Sequence, residues 1–202
     1  MNLNADQALE HFLRDVAPAG HVLDIGCGGN IKPMLHTPRM RQAKLSVDAL
    51  DMNAARATIH AKFEDYDFPD DHYDGVWASH MLEHAENVGE FLQKCRRILK
   101  PGGIFAVTVP PIGFSGHLLV PGHLSLWTPA LLCYNLIVAG WDLRNARLGT
   151  YEKNISVVVP REDAKLPKLS SCRGDIEKLQ AFFPTAVSHA CDANLPDTRW
   201  KS

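Results

Sequence analysis

Between Val22 and Asn30 the chain reads VLDIGCGGN, an apolar run that meets the carboxylate of Asp24 and then breaks into Gly26, Gly28 and Gly29. Glycine tolerates positive φ and, lacking a Cβ, lets a ligand lie against main-chain atoms. Asp24, two residues before Gly26, is placed to orient a ligand ammonium and to repel a pyrophosphate. Asp48, 22 residues after Gly26, has the spacing at which an acidic side chain bonds ribose hydroxyls. Three histidines, His80, His117 and His123, follow further along. Their side chains titrate in the range useful for taking a proton from a nucleophile.

Elements must exist to bring these groups together. Ala5, Leu9, Phe12, Leu13 and Val16 fall at helical spacing and predict an amphipathic first helix ending before Pro18. His21–Ile25 and Lys44–Leu50 read as strands, with an irregular helix over 31–43 between them. A short strand is expected at Ile59–Phe63 and a buried one at Gly75–Ser79. Val88, Phe91, Leu92, Cys95, Ile98 and Leu99 mark a helix stopped by KPGG, and GIFAVTVP (Gly103–Pro110) is the next strand. Thr128 and Pro129 open a helix that runs to Ala139. WDLRNARLG and KNISVVVP then form an antiparallel hairpin. Alternating strands and helices predict an α/β, doubly wound, mostly parallel sheet with helices on both faces.

A glycine turn of this kind also serves dinucleotides, but in GxGxxG the last position is glycine and here it is Ile31. A ligand with a ribose, a cationic amino-acid end and no phosphate fits better, and S-adenosyl-L-methionine is such a ligand. VLDIGCGGN, SVDALD, FPDDHYDGVWASHMLEH and RRILKPGGIFAVTVP stand in an order and spacing that resemble the class I, Rossmann-like S-adenosylmethionine-dependent methyltransferases over roughly Val22–Pro110, and more weakly to Pro160. The resemblance implies a seven-stranded sheet with an antiparallel C-terminal hairpin. It also implies that Asp24, Gly26, Cys27, Gly28 and Asn30 surround the methionine portion and Asp48 the ribose. By the same carry-over, Lys62 and Phe63 border the adenine, and Ser79 and His80 lie beside the sulfonium. Lys62 departs from the family, which often has an aspartate there; Glu64, Asp65 or main chain would take over that contact. Domain organisation follows as residues 1–160 for the catalytic unit and 161–202 as a lid, an interface or a loosely packed tail.

Methyl transfer is an in-line displacement in which alignment supplies much of the acceleration. An acceptor hydroxyl or amine has to lose a proton, and His123, His117 and His80 are the candidate bases. His123 is favoured because PGHLSLWT joins it to Trp127, a side chain able to wall an apolar pocket. His80-Met-Leu-Glu83-His84 also spells HxxEH, a zinc-binding pattern of certain peptidases. Its position just after a buried strand beside the presumed cofactor pocket argues against zinc hydrolysis, and no metal is expected.

The totals exclude more than they assign. With 21 basic and 23 acidic residues the formal net charge is −2, so no global field draws nucleic acid. No (N/D)PPY follows the Gly75–Ser79 strand and no Pro-Cys nucleophile is placed for cytosine methylation. The five cysteines form no CxxC pair, and the amino terminus lacks the basic and apolar regions of a signal peptide. These features lead to the expectation of a cytoplasmic enzyme, a possible homodimer without membrane insertion, that methylates oxygen or nitrogen of a small-molecule or saccharide-like acceptor. Two other readings compete: a methyltransferase-like subunit that binds without turnover, and a nicotinamide-dependent oxidoreductase.

Overall fold

The structure is a computed structural model and describes residues 3–28, 42–112, 120–151, 153–172, 174–187 and 194–200. Six strands form one sheet: β1 (His21–Ile25), β2 (Ser46–Leu50), β3 (Tyr73–Ser79), β4 (Leu99–Val109), β5 (Arg147–Tyr151) and β6 (Asn154–Pro160). Their spatial order is β2-β1-β3-β4-β6-β5. β1 to β4 run parallel, and β6 is antiparallel to both β4 and β5. The chain therefore has the α/β, mostly parallel sheet with an antiparallel terminal hairpin that alternation predicted.

Two apolar faces explain the layers. Val22 and Trp77 point to one face, where Leu9 and Phe12 of helix α1 (Leu3–Asp15) pack with Ile104, Ala106 and Val158. Leu23, Ile25, Val76, Ala78, Phe105 and Val107 point to the other, against helix α2 (Val88–Ile98) and helix α3 (Pro129–Val138). Strand alternation makes this division automatic, since neighbours along a strand face opposite ways. α2 begins where the Asn87 side chain accepts from the Glu90 N–H at 3.2 Å, and α3 where Thr128 Oγ1 accepts from Leu131 N–H at 3.2 Å.

Two expectations need correction. The sheet has six strands among the described residues, not seven, because Ile59–Phe63 supplies only a bridge between Leu50 and Ile59. The chain turns there: Asp65 and Tyr66 N–H both donate to the Lys62 carbonyl, and Phe63 drops into an aromatic cluster with Phe68 and Phe91. Burying that ring replaces further strand pairing. β4 also starts earlier than Gly103. Its partner register jumps from Tyr73↔Leu99 to Gly75↔Ile104, so Lys100–Gly103 forms an irregular bulge within the strand. The helix expected over 31–43 lies largely outside the described residues.

Beyond residue 160 the chain continues to share both cores. Leu179 of the short helix α4 (Asp175–Leu179), Phe183, Val187 and Leu195 join the α2–α3 side. Trp200 packs on the α1 side, with its indole N–H donating to Gln7 Oε1 at 2.9 Å. Thr198 pairs with Leu148, so this segment runs along the edge strand β5.

Candidate functional site

The carboxyl ends of β1, β2 and β3 end close together, the place where open parallel sheets bind ligands. After β1 the chain turns sharply: Gly26 and Cys27 N–H both donate to the Leu50 carbonyl, at 2.8 and 3.1 Å. Gly26 has φ +72° and Gly28 φ +81°, a region that costs other residues energy. A Cβ on Gly28 would meet nothing within 4 Å among the described residues, so that face of the turn is open to them. A Cβ on Gly26 would fall 2.0 Å from the Met81 sulfur, so Met81 lies directly over the turn.

Asp51, the first residue beyond β2, ties the ends together. Its Oδ2 accepts from Gly28 N–H at 3.0 Å, and its Oδ1 from Asn53 and Ala54 N–H at 2.8 and 2.9 Å. Asp51 lines a cavity of about 430 Å³ with Gly26, Lys62, Phe63, Met81 and His84. That size suits a small organic cofactor. Asp24 is buried, and among the described residues its Oδ2 has no hydrogen-bond partner. Burial, assisted by the Asp51 charge, pushes its carboxyl up to about 7. Burial first, and then Asp24 and Asp51, push the Cys27 thiol up to about 11, which keeps it protonated and unreactive.

Asp48 is elsewhere. It sits opposite Leu23 in mid-strand, and its Oδ2 accepts from Tyr73 Oη at 2.8 Å and lies 3.0 Å from His21 Nε2. It is absent from the cavity lining, which Asp51 borders instead. The reason is register: a ligand-binding carboxylate must stand past the last strand pair, and that pair is Ile25↔Leu50. SVDALD contains both carboxylates, and strand length alone decides between them.

Lys62 and Phe63 do line the cavity. Lys62 is half exposed with its Nζ 3.8 Å from Glu86, whereas Lys94, which the sequence reading overlooked, donates to the Phe63 and Glu64 carbonyls at 2.6 and 2.8 Å. Lys94 thereby holds the shape of the Lys62–Asp65 loop. Ser79 ends β3 and is not part of the lining, nor is His80; the neighbouring Met81 lines the cavity and lies over Gly26. Asn30 and His117 lie outside the described residues.

His80 adopts φ +56°, a conformation that costs a non-glycine residue on the order of 1 kcal/mol and recurs at functional sites. Its Nδ1 is 3.2 Å from Oε1 of Glu83, a fully buried carboxylate whose Oε2 has no partner among the described residues. Residues 82–84 form a short 3-10 turn rather than an α-helix, so His80 and His84 do not share a helix face as the HxxEH pattern requires. His84 Nδ1 bonds the Gly122 carbonyl at 2.9 Å, and its ring stands edge-on to His123 at 4.9 Å. Glu83, His84 and His123 bring one oxygen and two ring nitrogens within 4.8 Å of one another, a donor set able to hold a divalent cation. Trp127, two turns of chain from His123, is buried in the core and does not line the cavity.

A parallel sheet whose first turn is glycine-rich, whose second strand ends in a tethered carboxylate and whose edge is an antiparallel hairpin is the class I, Rossmann-like arrangement. Solved structures share it. A SAM-dependent methyltransferase from Archaeoglobus fulgidus superposes with TM-score 0.61 at 17% identity, over 78% of this chain and 93% of that one. The 1,6-didemethyltoxoflavin-N1-methyltransferase of Burkholderia thailandensis, solved with S-adenosylhomocysteine, gives 0.59 at 14% identity, over 80% and 82%. Residues 23–107 match the family described as a methyltransferase domain. S-adenosyl-L-methionine is the cofactor of this class. The ubiquinone biosynthesis O-methyltransferase of Caulobacter vibrioides is 34% identical over 125 residues, covering 50% of this chain and 47% of that protein. The chain thus spans about half the length of that relative. No helix among the described residues is long and apolar enough to cross a membrane.

Proposed function

We propose that the chain transfers a methyl group from S-adenosyl-L-methionine to an oxygen or nitrogen of a small-molecule acceptor, with oxygen preferred. The observation that carries this reading is the bond between Gly28 N–H and Asp51, which sets an open glycine turn beside a carboxylate at the mouth of one cavity. When bound, S-adenosyl-L-methionine supplies an electrophilic methyl on a sulfonium. Gly26, Cys27 and Gly28 would cradle its methionine end, and Asp24 would meet the ammonium. Asp51 would accept from the ribose hydroxyls, and the Lys62–Asp65 loop would border the adenine. The oxygen preference rests on the name of the Caulobacter relative.

Acceptor activation belongs to the histidines beside the cavity. His84 lines it, and His123 stands against His84, so His123 is the candidate for removing the acceptor proton, with His80 held back by Glu83. A second reading is favoured by the buried, unsatisfied Glu83 oxygen. A divalent cation held by Glu83, His84 and His123 would lower the pKa of an acceptor hydroxyl directly.

Calorimetry with S-adenosylhomocysteine, followed by turnover of S-adenosyl-L-methionine over phenolic, amine and saccharide acceptors, tests the proposal. Binding with turnover on one acceptor class supports it. Binding without turnover on any acceptor supports a non-catalytic subunit, and binding of a nicotinamide dinucleotide instead would overturn it.

A further inference from the structure

Asp48, which stands away from the cavity, joins two histidines in a second arrangement at the other end of the sheet. His21 is the first residue of β1, His72 immediately precedes β3, and Asp48 reaches toward both from β2, the neighbour of β1 on the side away from β3. One ligand atom from each lies within 4.8 Å of the others. His21 Nε2 is 3.0 Å from Asp48 Oδ2, and the His21 and His72 rings stand edge-on at 5.0 Å. The cavity, by contrast, is lined by Gly26, Asp51 and Met81, which follow the carboxyl ends of these strands.

We propose that His21, Asp48 and His72 form a binding site for a borderline divalent transition ion, zinc or copper(II), distinct from the cofactor cavity. Two imidazoles and one carboxylate select such ions over magnesium or calcium, which take oxygen donors. Donor atoms around a zinc at about 2.0–2.1 Å stand roughly 3.3 Å apart, so small side-chain rotations close the set. His72 is exposed, and water completes the coordination from that side.

The surroundings are those of a held site rather than of a loose surface cluster. Tyr73 Oη donates to the same Asp48 carboxylate at 2.8 Å, and this kind of outer hydrogen bond orients a metal ligand. The His21 N–H donates to Asp74 Oδ2 at 2.9 Å, and Asp74 in turn accepts from Lys100 Nζ at 2.9 Å. Two of the ligands stand on paired strands, β1 and β2, whose spacing the parallel register fixes. A bound ion would staple three segments of the sheet at the end away from the cavity.

The test uses the full chain, stripped of metal by a chelator and titrated with zinc alone in a non-coordinating buffer. Copper(II) is the spectroscopic probe, followed by electron paramagnetic resonance. The expected result is a saturable zinc event that His72→Ala weakens by at least about tenfold and Tyr73→Phe by about tenfold. Copper spectra should carry imidazole nitrogen couplings that diminish in His72→Ala. S-adenosylhomocysteine affinity should be the same in the wild type and in His72→Ala, which separates this site from the cofactor reading. A zinc event lost in His84→Ala and untouched in His72→Ala would assign the metal to the cavity cluster and overturn the proposal. Equal zinc affinity in wild type and His72→Ala would overturn it as well. His72 is exposed and lies outside the core, so its variant folds even where His21→Gln does not.

Discussion

The main-chain N–H of Gly28 donates to the Asp51 carboxylate across 3.0 Å, joining the turn after β1 to the residue that follows β2. A carboxylate already held by three N–H groups keeps its orientation and needs no reorganisation to receive hydroxyl donors. Asp51→Ala should weaken S-adenosylhomocysteine binding by about 1.5–3 kcal/mol, the range for a hydrogen bond to a charged group. Asp48→Ala should leave that affinity within about twofold. Calorimetry on both variants decides the assignment, and the reverse ranking would restore Asp48 to the ribose.

Gly26 and Gly28 respond differently to the same substitution. A side chain at Gly28 enters open space, so Gly28→Val should cost about 1–2 kcal/mol through its positive φ alone while removing cofactor binding. At Gly26 the added carbon also strikes Met81, so Gly26→Val should be the less stable protein. Thermal unfolding and ligand titration of the pair measure the two effects separately. Equal loss of stability in both would contradict the packing of Met81 over the turn.

Asp24 should make stability depend on pH. Its folded value of about 7 lies above the ordinary 3.8, so between these pH values the unfolded chain gives up its proton first. The stabilisation is full below about 3.8 and is lost as pH rises toward 7, by on the order of 2–4 kcal/mol. Asp24→Asn should flatten that slope in denaturant titrations of the ligand-free protein. A ligand ammonium favours the charged carboxylate, so cofactor binding below about pH 7 should release a proton, detectable by calorimetry in buffers of different ionisation enthalpy.

Removal of a general base typically costs a factor of about 10²–10⁴ in rate. His123→Ala should lower kcat within that range and leave S-adenosylhomocysteine affinity unchanged. If a cation performs the activation, Glu83→Gln and treatment with a chelator should produce the same loss, and added divalent metal should restore only the chelated wild type. Full activity in both variants would remove this cluster from the chemistry.

Trp200 is 8% exposed and closes the α1 side of the sheet, with its carbonyl 2.5 Å from His11 Nε2. Trp200→Ala should cost about 3–5 kcal/mol in chemical denaturation, the range for emptying a large aromatic site. It should leave cofactor affinity alone, because its contacts are with α1 and with Gly149 of β5 rather than with the cavity. Loss of cofactor binding without loss of stability would mark residues 194–200 as a lid instead.

Much of the architecture is legible because it is local. The apolar run VLDI, the heptad-like spacing of Phe91, Leu92, Cys95 and Ile98, and the Thr128–Pro129 helix start are properties of neighbouring residues, and the structure keeps them. The strand expected at Ile59–Phe63 misled for a non-local reason. Phe63 gains more from packing on Phe68 and Phe91 than from extending a ladder. Met81 and Lys94 carry no signal in sequence, and although HxxEH marks Glu83 and His84, their meeting with His123 depends on a partner brought in by folding.

By itself the amino-acid sequence determined that a buried strand enters a bare glycine turn beside acidic side chains. Which acidic side chain borders the cavity was decided only by the tertiary structure. A parallel strand turns alternate residues to opposite faces, and its end is set by pairing with its neighbours. That end falls between Leu50 and Asp51, so Asp51 faces the cavity and Asp48 lies against His21 and Tyr73.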